Sequence, residues 1–268
     1  MQNLPDVTLC CIDTRCHSLA IDAMRRCMRD CRFGRLLFIS DAQARQHDLA
    51  GIELQQTDEL RSIEEYSRFV IKRLPDVIHT SHVLLIQWDG FIIHPGSWDS
   101  GFLQYDYIGA PWVHGSVAGK VGNGGFSLRS RKLLAALADP TIQPSNPEDV
   151  CICVDHREHL EQAHGIRFAP LDVAARFAYE RGEPAGEPFG FHGVFNFDRA
   201  LNADERAVAI AAFQPRMAAS ADARHLIKRL IKAGDARNAL RLLDKRAAAT
   251  GLSWDLMQLR LRARLAAI

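Results

Sequence analysis

The sequence predicts an α/β protein in which helices flank a mixed, mainly parallel sheet, with a small α-helical appendage at the carboxyl end. Short apolar runs such as Val7–Ile12 and Val83–Ile86 are typical of strands that are buried on both faces. They alternate with segments such as Ser62–Arg73, in which apolar residues recur at helical spacing. From about Asn202 the chain becomes rich in Ala and Arg, and only the helical period remains. The alternation indicates βαβ units, and the later change predicts a separate helical domain.

Composition places the chain among ordinary globular proteins. It has 268 residues, of which 47% are hydrophobic and 24% charged, and its formal net charge is +1. A general nucleic-acid-binding protein needs an excess of Lys and Arg to gain from counterion release, so we expect no nucleic-acid partner. No apolar stretch reaches the roughly 20 residues of a membrane span, and the first residues lack the order of a signal peptide. These features predict a cytoplasmic location.

The cysteines favour the same compartment. Their number, seven, is odd, and most lie in strand-like or helix-like segments, which indicates reduced thiols. The spacings Cys27–Cys31 and Cys151–Cys153 fit no common zinc module. We therefore expect buried free thiols rather than a cysteine zinc site.

The amino-terminal segment predicts a βαβ unit. A strand at Val7–Ile12, a helix at Ser18–Cys31 and a strand at Arg35–Ile39 follow one another, and a parallel pair with a right-handed crossover is expected. The first strand ends in the polar residues Asp13, Thr14 and Arg15. A polar tripeptide at the carboxyl end of a strand is a candidate ligand contact.

The next predicted elements are a short strand around residues 52–54 and a helix at Ser62–Arg73. Glu65 stands three residues after Ser62, which matches a capping box, and Pro75 ends the helix. The buried strand Val83–Ile86 comes next and stops abruptly at polar residues. This strand end is the position around which we expect the protein to be organised.

The polar residues at this strand end are Gln87, Trp88 and Asp89, followed by Gly90. Asp-Gly is a strong turn signal, so the pair could be only a hairpin turn. A carboxylate fixed at a rigid strand end could equally clamp a metal or ligand. The residues alone leave both interpretations open.

Two further stretches indicate surfaces shaped for a ligand. Residues 105–112 place three aromatic residues, a small pair and a proline in eight positions, although core packing also explains the two tyrosines. Gly124 and Gly125 precede an alternating strand at residues 126–128 and allow close approach of the backbone. No Gly-Lys-Ser/Thr sequence follows them, which excludes a Walker loop.

The remaining candidates are Glu148, Asp149 and His192. The acidic pair starts a predicted helix, where carboxylates favour the helix dipole and cap free N–H groups. The functional alternative is a general base on a rigid helix end. His192 lies in a Gly- and Pro-rich loop, where most histidines are structural, but its neighbour Gly193 would let it reach Asp89 as a second metal ligand.

A helical domain is predicted for residues 201–268, and the first domain for 1–200. Residues 221–233 and 235–249 form an amphipathic pair like one tetratricopeptide-like hairpin, and one more helix follows. One pair is too little for a solenoid, so we expect a docking or oligomerisation appendage. A short strand at 165–169 is also predicted in the first domain.

The motifs QWD, YDYIGAPW, GNGGFSLRS, PEDV and FGFHG occur in this order between residues 87 and 193. Together they resemble a bacterial family of formally unknown function described as glycosyltransferase-like and related to the GT-A nucleotide-sugar transferases. The resemblance covers about residues 7–197 and excludes the helical tail. It implies a GT-A-like, Rossmann-like fold for the first domain.

The resemblance also implies roles for individual residues. Enzymes of the GT-A class use an Asp-x-Asp motif for a divalent metal, and QWD stands in its place, which leaves Asp89 as the retained ligand. His192 would complete the site for this metal, Mn²⁺ or Mg²⁺, as a second ligand. The nucleotide-diphosphate sugar would contact the cofactor-binding residues Asp13, Thr14, Arg15, Gln87, Trp88, Gly124 and Gly125. Asp149, with Glu148 as substitute, would be the catalytic base of an inverting enzyme.

The leading hypothesis is therefore a metal-assisted, inverting glycosyltransferase that acts on a glycan or glycolipid acceptor in bacterial surface polysaccharide synthesis. The first alternative is a non-catalytic nucleotide-sugar-binding or scaffold protein of the same fold. A second alternative is an interaction protein that works through residues 201–268, either as a homodimer or with another protein. Peripheral membrane association is compatible with each of these hypotheses.

Overall fold

A computed structural model describes residues 1–117 and 119–266. These residues divide into two compact units, Met1–His192 and Gly193–Ile268. The last two residues of the predicted tail, 267 and 268, lie outside the described residues.

The strands all belong to the first unit. They are β1 (Gln2–Ile12), β2 (Cys31–Ser40), β3 (Glu53–Gln56), β4 (His82–Ile86), β5 (Gly90–Ile92), β6 (Tyr107–Ile108), β7 (Phe126–Ser130), β8 (Ala178–Tyr179) and β9 (Gly190–His192). Its helices are α1 (His17–Asp30), α2 (Ile63–Lys72), α3 (Leu74–Val77), α4 (Arg131–Ala136), α5 (Glu148–Val150), α6 (Arg157–His164) and α7 (Leu171–Phe177). A π-helical turn at Cys151–Asp155 joins α5 to α6.

The main sheet has six strands within the described residues, in the order β3-β2-β1-β4-β7-β6. The pairs from β3 to β4 are parallel, whereas β7 runs antiparallel to both β4 and β6. Every residue of β4 and β7 is buried, as the apolar run of β4 predicts. The predicted fold class, a mixed and mainly parallel sheet flanked by helices, is confirmed.

The reversed direction of β7 decides where side chains meet. Because Ile86 of β4 pairs with Phe126 of β7, the end of β4 lies beside the start of β7. The amide N–H of Gln87 donates to the carbonyl of Gly125 at 2.8 Å. The polar residues after β4 and the glycines before β7 therefore lie at one edge of the sheet.

A small second sheet brings the late histidine to the same edge. It has the order β5-β9-β8, and Gly90 pairs with His192 in the antiparallel β5–β9 ladder. Phe91 and Phe191 contact edge to face, with ring centroids 4.7 Å apart. This sheet fixes His192 beside the turn that follows β4.

Two local predictions are corrected. The strand predicted at 165–169 is reduced to one bridge between Phe168 and Tyr107, because β6, its neighbour, is only two residues long. The capping box at Ser62 is incomplete: its side chain accepts from the N–H of Glu65, but the Glu65 carboxylate accepts from the N–H of Arg61. The helix nevertheless begins at Ile63, one residue after the predicted cap.

The second unit is helical in its described residues. Its helices are α8 (Phe197–Ala200), α9 (Ala203–Ala212), α10 (Pro215–Ala219), α11 (Ala221–Lys232), α12 (Ala236–Thr250) and α13 (Trp254–Leu265). Leu226 and Leu230 of α11 and Leu242 and Leu243 of α12 are fully buried, as the helical period of the sequence requires. Ser220 and Ser253 accept N–H bonds as amino-terminal caps of α11 and α13.

All seven cysteines are free and buried. Burial raises the pKa of Cys10 and of Cys27 to about 12, so these thiols stay protonated at neutral pH. Among the described helices, none combines the length and the apolar character needed to cross a membrane.

Candidate functional site

A cavity of about 460 Å³ opens at the carboxyl end of β4. Its walls come from α2, from the loops before β7 and α5, and from the chain around β8 and β9. The lining residues are Ile63, Tyr66, Gln87, Trp112, Val113, His114, Gly115, Asn123, Gly124, Gly125, Pro147, Glu148, Asp149, Glu180, Arg181 and His192. Six predicted site residues therefore meet in one cavity: Gln87, Gly124, Gly125, Glu148, Asp149 and His192.

The glycine pair is required by its neighbours. A Cβ atom at Gly124 would collide with the carboxylate of Glu148, and one at Gly125 would collide with the imidazole of His192. Both collisions involve buried or partly buried side chains, which cannot simply swing away. The glycines thus let the acidic pair and the histidine approach the start of β7 closely.

Glu148 is held by a buried ion pair. Its Oε1 lies 2.8 Å from Nη2 of Arg129, whose side chain is fully buried in β7. Burial raises the pKa of Glu148, while the Arg129 charge opposes this shift. The guanidinium also lies over the Tyr107 ring at 5.2 Å. Breaking such a pair leaves a buried charge uncompensated, so Glu148 ties α5 to the sheet.

Asp149 is presented differently, although it is the next residue. Its Oδ2 accepts the N–H of Gly124 at 2.9 Å, and its Oδ1 accepts the N–H of Val150 at 2.8 Å. Among the described residues, no arginine or lysine pairs with it as Arg129 pairs with Glu148. Two fixed N–H donors aim its carboxylate into the cavity, where a proton donor could reach it.

His192 lies between two carboxylates. Its Nε2 is 3.3 Å from Oδ1 of Asp89 and 3.2 Å from Oε1 of Gln87, and its Nδ1 is 3.6 Å from Oε1 of Glu180. Burial lowers the pKa of His192, but the charges of Asp89 and Glu180 outweigh burial and raise it to about 10. In the absence of a bound metal, the imidazole is therefore a cation at neutral pH.

The sequence leaves Asp89 open as part of a turn or as a metal or ligand contact, and its position is compatible with both. The N–H of Gly90 donates to the carbonyl of Gln87 at 3.1 Å, which makes the Asp-Gly pair a turn between β4 and β5. The same turn directs the Asp89 carboxylate at His192. Asp89 does not line the cavity and contacts it through His192.

The donor set fits a divalent cation. Around Nε2 of His192, oxygens of Asp89 and Gln87 lie at 3.2–3.3 Å, near the separation of neighbouring ligands on one metal ion. Glu180 stands at the opposite ring nitrogen, which is the usual carboxylate–histidine–metal arrangement. These residues could hold Mn²⁺ or Mg²⁺ once the imidazole has lost a proton.

The predicted contacts at the end of β1 lie outside the cavity lining. Asp13 accepts the N–H groups of Arg15 and Cys16 at 2.7 and 2.5 Å, and Thr14 accepts the N–H of Leu60 at 3.0 Å. Arg15 donates to the carbonyl of Arg61. These bonds hold the chain before α2 against β1, and α2 supplies Tyr66 to the cavity. Trp88 also lies outside the lining.

Sequence reasoning missed several lining residues. Glu180 follows the two-residue strand β8, which is too short for a periodic signal. Tyr66 has the position of a core residue in its helix, and Arg181 that of a surface charge. Asn123 has a φ of 57°, and its Oδ1 is buried without a hydrogen-bond partner. An asparagine between two glycines, a residue type that tolerates positive φ, was the signal that the sequence carried for this position.

Comparisons with solved structures give weak similarities. The galactosyltransferase LgtC in complex with donor and acceptor sugar analogues is 12% identical, with a TM-score of 0.46, over 94% of this chain and 99% of that one. The apo-form glycosyltransferase GlyE of Streptococcus pneumoniae TIGR4 is 10% identical, with a TM-score of 0.42, over 74% and 55%. Rv0371c of Mycobacterium tuberculosis H37Rv is 11% identical, with a TM-score of 0.37, over 63% and 88%.

Comparison with curated protein sequences gives no match. A family profile, by contrast, matches residues 50–192, which is more than half of the chain. The matched range begins before β3 and ends at His192, so it includes every residue that lines the cavity. The chain belongs to the family described as Protein of unknown function (DUF5672).

Proposed function

We propose that the protein is a glycosyltransferase that moves a sugar from a nucleotide-diphosphate sugar to a glycan or glycolipid acceptor. The observation that carries this proposal is the cavity at the end of β4, which Asp149, the glycine pair and His192 line together. Open α/β sheets bind their ligands at such strand ends. A volume of about 460 Å³ suits a sugar with part of a nucleotide.

Asp149 is the proposed catalytic base. As the acceptor oxygen bonds to the anomeric carbon, Asp149 takes the hydroxyl proton. The bond from the anomeric carbon to the phosphate oxygen breaks, and its electron pair leaves with the diphosphate. Attack opposite the leaving group inverts the anomeric configuration. Glu148, committed to Arg129, positions this segment.

The leaving diphosphate needs positive charge beside it. Arg181 lines the cavity, and the protonated His192 lies at its wall. Both can bind phosphate oxygens by charge-assisted hydrogen bonds. Alternatively, Mn²⁺ or Mg²⁺ would displace the His192 proton and be held by Asp89, His192 and Gln87, and it would then supply the positive charge beside these oxygens as a Lewis acid.

The rest of the donor requires surfaces for a sugar and a base. Tyr66 and Trp112 offer aromatic faces in the cavity wall, and the buried, unpartnered Oδ1 of Asn123 can accept a bond from a sugar hydroxyl. We assign the nucleotide to the neighbouring strand ends at residues 13–15 and to Trp88. The acceptor class proposed is bacterial surface polysaccharide or glycolipid.

Calorimetric titration of a panel of nucleoside diphosphates, with and without Mn²⁺, tests the proposal. Binding of one nucleotide that requires both Mn²⁺ and Asp89, judged with Asp89→Ala, would support the donor class and the metal site together. Binding that ignores both would indicate a metal-independent transferase or a simple binder. No binding across the panel would overturn the proposal.

A second candidate function is a scaffold role for the helical unit. Trp254, Met257, Leu261 and Leu265 are 46–73% exposed and recur along one side of α13. The first turn of α13 is acidic and its last turn is basic. An antiparallel pair of α13 helices from two copies would cover the apolar side and place opposite charges together.

Sedimentation analysis of the full chain tests this candidate. Wild type should dimerise, and Leu261→Glu should remain monomeric because it buries a charge in the apolar contact. Val208→Glu, at another exposed apolar position of the same unit, is the matched control and should dimerise like wild type. A wild-type chain that stays monomeric at high concentration would exclude the pairing.

A further inference from the structure

A second carboxylate–histidine group lies in the first unit, outside the cavity lining. Asp139 follows α4, and His159 and His164 lie on α6. Nε2 of His159 is 3.0 Å from Oδ2 of Asp139, and Nε2 of His164 is 2.9 Å from the same oxygen. Two imidazoles from one helix thus converge on one carboxylate oxygen.

This convergence has the dimensions of a metal site. Zn²⁺ binds His nitrogen at about 2.0–2.1 Å and carboxylate oxygen at about 2.0–2.2 Å, so neighbouring ligand atoms of a tetrahedral site lie roughly 3.3 Å apart. The observed separations are a few tenths of an ångström shorter, and a small outward shift of each side chain would admit the ion. The rings meet at 76°, with centroids 5.4 Å apart, so each nitrogen approaches from its own direction.

The carboxylate is held ready by a neighbour. Oδ1 of Asp139 accepts both the N–H and the hydroxyl of Thr141, at 2.8 and 2.7 Å. The Thr141 bonds, followed by those from the two histidines, lower the pKa of Asp139. An ionised ligand whose second oxygen is fixed by a hydrogen bond is the usual supporting arrangement of a metal site.

The position is open to solvent on one side. The side chains of Asp139, His164 and His159 are 18%, 28% and 40% exposed. An ion can therefore enter, and water can occupy the fourth position. Two imidazoles and one carboxylate suit Zn²⁺ and neighbouring transition metals better than the oxygen-seeking Mg²⁺.

We propose that Asp139, His159 and His164 bind one divalent transition-metal ion, with Zn²⁺ as the best match to this donor set. The site is separate from the proposed Asp89–His192 site and independent of the proposed function.

The ion would cross-link the two ends of the segment that carries the acidic pair, Glu148 and Asp149. Asp139 precedes Asp149 by ten positions, and His159 follows it by ten, so one ion closes the loop that carries it. Inside this loop, two hydrogen bonds already connect its two sides: one from Ser145 to Asp155 and one between His156 and the carbonyl of Gln143. Metal binding would restrict the same segment further and stabilise the folded chain.

The experiment uses full-length, tag-free protein stripped of metal by chelation. Calorimetric titration with Zn²⁺ near neutral pH should show one binding event per chain that depends on His159 and His164, distinct from Zn²⁺ uptake at the Asp89–His192 group. At a Zn²⁺ concentration of about 100 times the dissociation constant, the midpoint temperature of thermal unfolding should rise by about 5 °C or more. His159→Gln and His164→Gln are surface changes that keep the helix, and each should weaken binding by about 100-fold or more.

Two control variants test whether Zn²⁺ binds at this site or at other metal-ligating side chains of the protein. His79→Gln removes an exposed histidine elsewhere and should bind Zn²⁺ like wild type. Asp89→Asn removes the carboxylate of the cavity group and should keep the Zn²⁺ binding event that His164→Gln loses. Circular dichroism verifies that each variant is folded. Absence of stoichiometric Zn²⁺ binding by wild type would overturn the proposal. Binding that survives His164→Gln and is lost in Asp89→Asn would overturn it equally.

Discussion

The first unit holds two carboxylate–histidine groups that differ in proportion and burial. In the cavity group, one histidine, His192, lies between two carboxylates, and all three side chains are at most 16% exposed. In the surface group, two histidines share the carboxylate of Asp139 and are 28–40% exposed. Two buried carboxylates favour a proton on the imidazole between them, whereas two imidazoles around one carboxylate offer lone pairs to a metal. The ratio of acids to bases therefore favours a proton on His192, which a metal ion at the cavity group would have to displace, and leaves the imidazoles of the surface group ready to bind a metal directly.

The comparison predicts that sugar transfer depends on the cavity residues and not on the surface group. Asp149→Asn should lower turnover by about 10²–10⁴-fold, because an amide cannot take the acceptor proton, while nucleotide binding persists. Asp155→Asn lies in the same segment outside the cavity lining and is the matched control. His164→Gln should leave turnover within a few-fold of wild type when no Zn²⁺ is added. Equal losses in Asp149→Asn and His164→Gln, measured by initial rates, would break the comparison.

The proton on His192 should appear in the pH dependence of folding. The folded pKa, about 10, lies above the ordinary value of 6.5, so this contribution is complete below about pH 6.5 and is lost as pH rises toward 10. The difference of about 3.5 between the two pKa values corresponds to a loss on the order of 5 kcal/mol in the free energy of unfolding. Denaturant titrations at several pH values should show this slope in wild type and a smaller one in His192→Gln. Identical slopes in the two proteins would show that His192 does not carry the raised pKa and is not a cation in the folded protein.

Packing around the cavity group gives a sharper test of its rigidity. Gly125→Ala places a Cβ against the His192 imidazole and should cost about 1–3 kcal/mol of stability. Gly96→Ala is the matched control, since a Cβ there meets nothing within 4 Å. Urea midpoints of the two variants measure the difference. A Gly125→Ala variant as stable as the control would show that the group yields easily.

The smallest expected effect is that of the Thr141 hydroxyl on the Zn²⁺ affinity of the surface group. Thr141→Ala removes the hydrogen bond that fixes Oδ1 of Asp139, and Zn²⁺ affinity should fall by about 10-fold. Thr141→Ser keeps the hydroxyl and should bind like wild type. Calorimetry under the same conditions compares them; equal affinities would mean that Thr141 does not orient the ligand.

The sequence predicts the parallel part of the fold well. Apolar runs locate β1, β2 and β4, and helical periods locate α1, α2 and α11 to α13, because in these elements burial follows a regular pattern. The antiparallel entry of β7 was not predictable, since a two-residue neighbour such as β6 leaves no periodic trace. That reversal determines which residues share the cavity.

The candidate site shows the same division. Gly124, Asp149 and His192 stand out because glycine, paired acids and a loop histidine are unusual in their settings. The Arg129–Glu148 pair could not be predicted, because an arginine within a strand gives no sign of being fully buried. The surface group is spread over 26 positions without a recognised spacing, so only the fold brings it together.

The buried cysteines have a practical consequence for spectroscopy. Because every native thiol is buried, and burial raises the pKa of Cys10 and Cys27 to about 12, a maleimide reagent should react with the native cysteines of the folded protein only slowly. A single cysteine introduced at Gln162, on the exposed side of α6, would therefore accept one fluorophore or spin label without prior removal of the others. Such a label would follow the chain that carries Asp149 in real time.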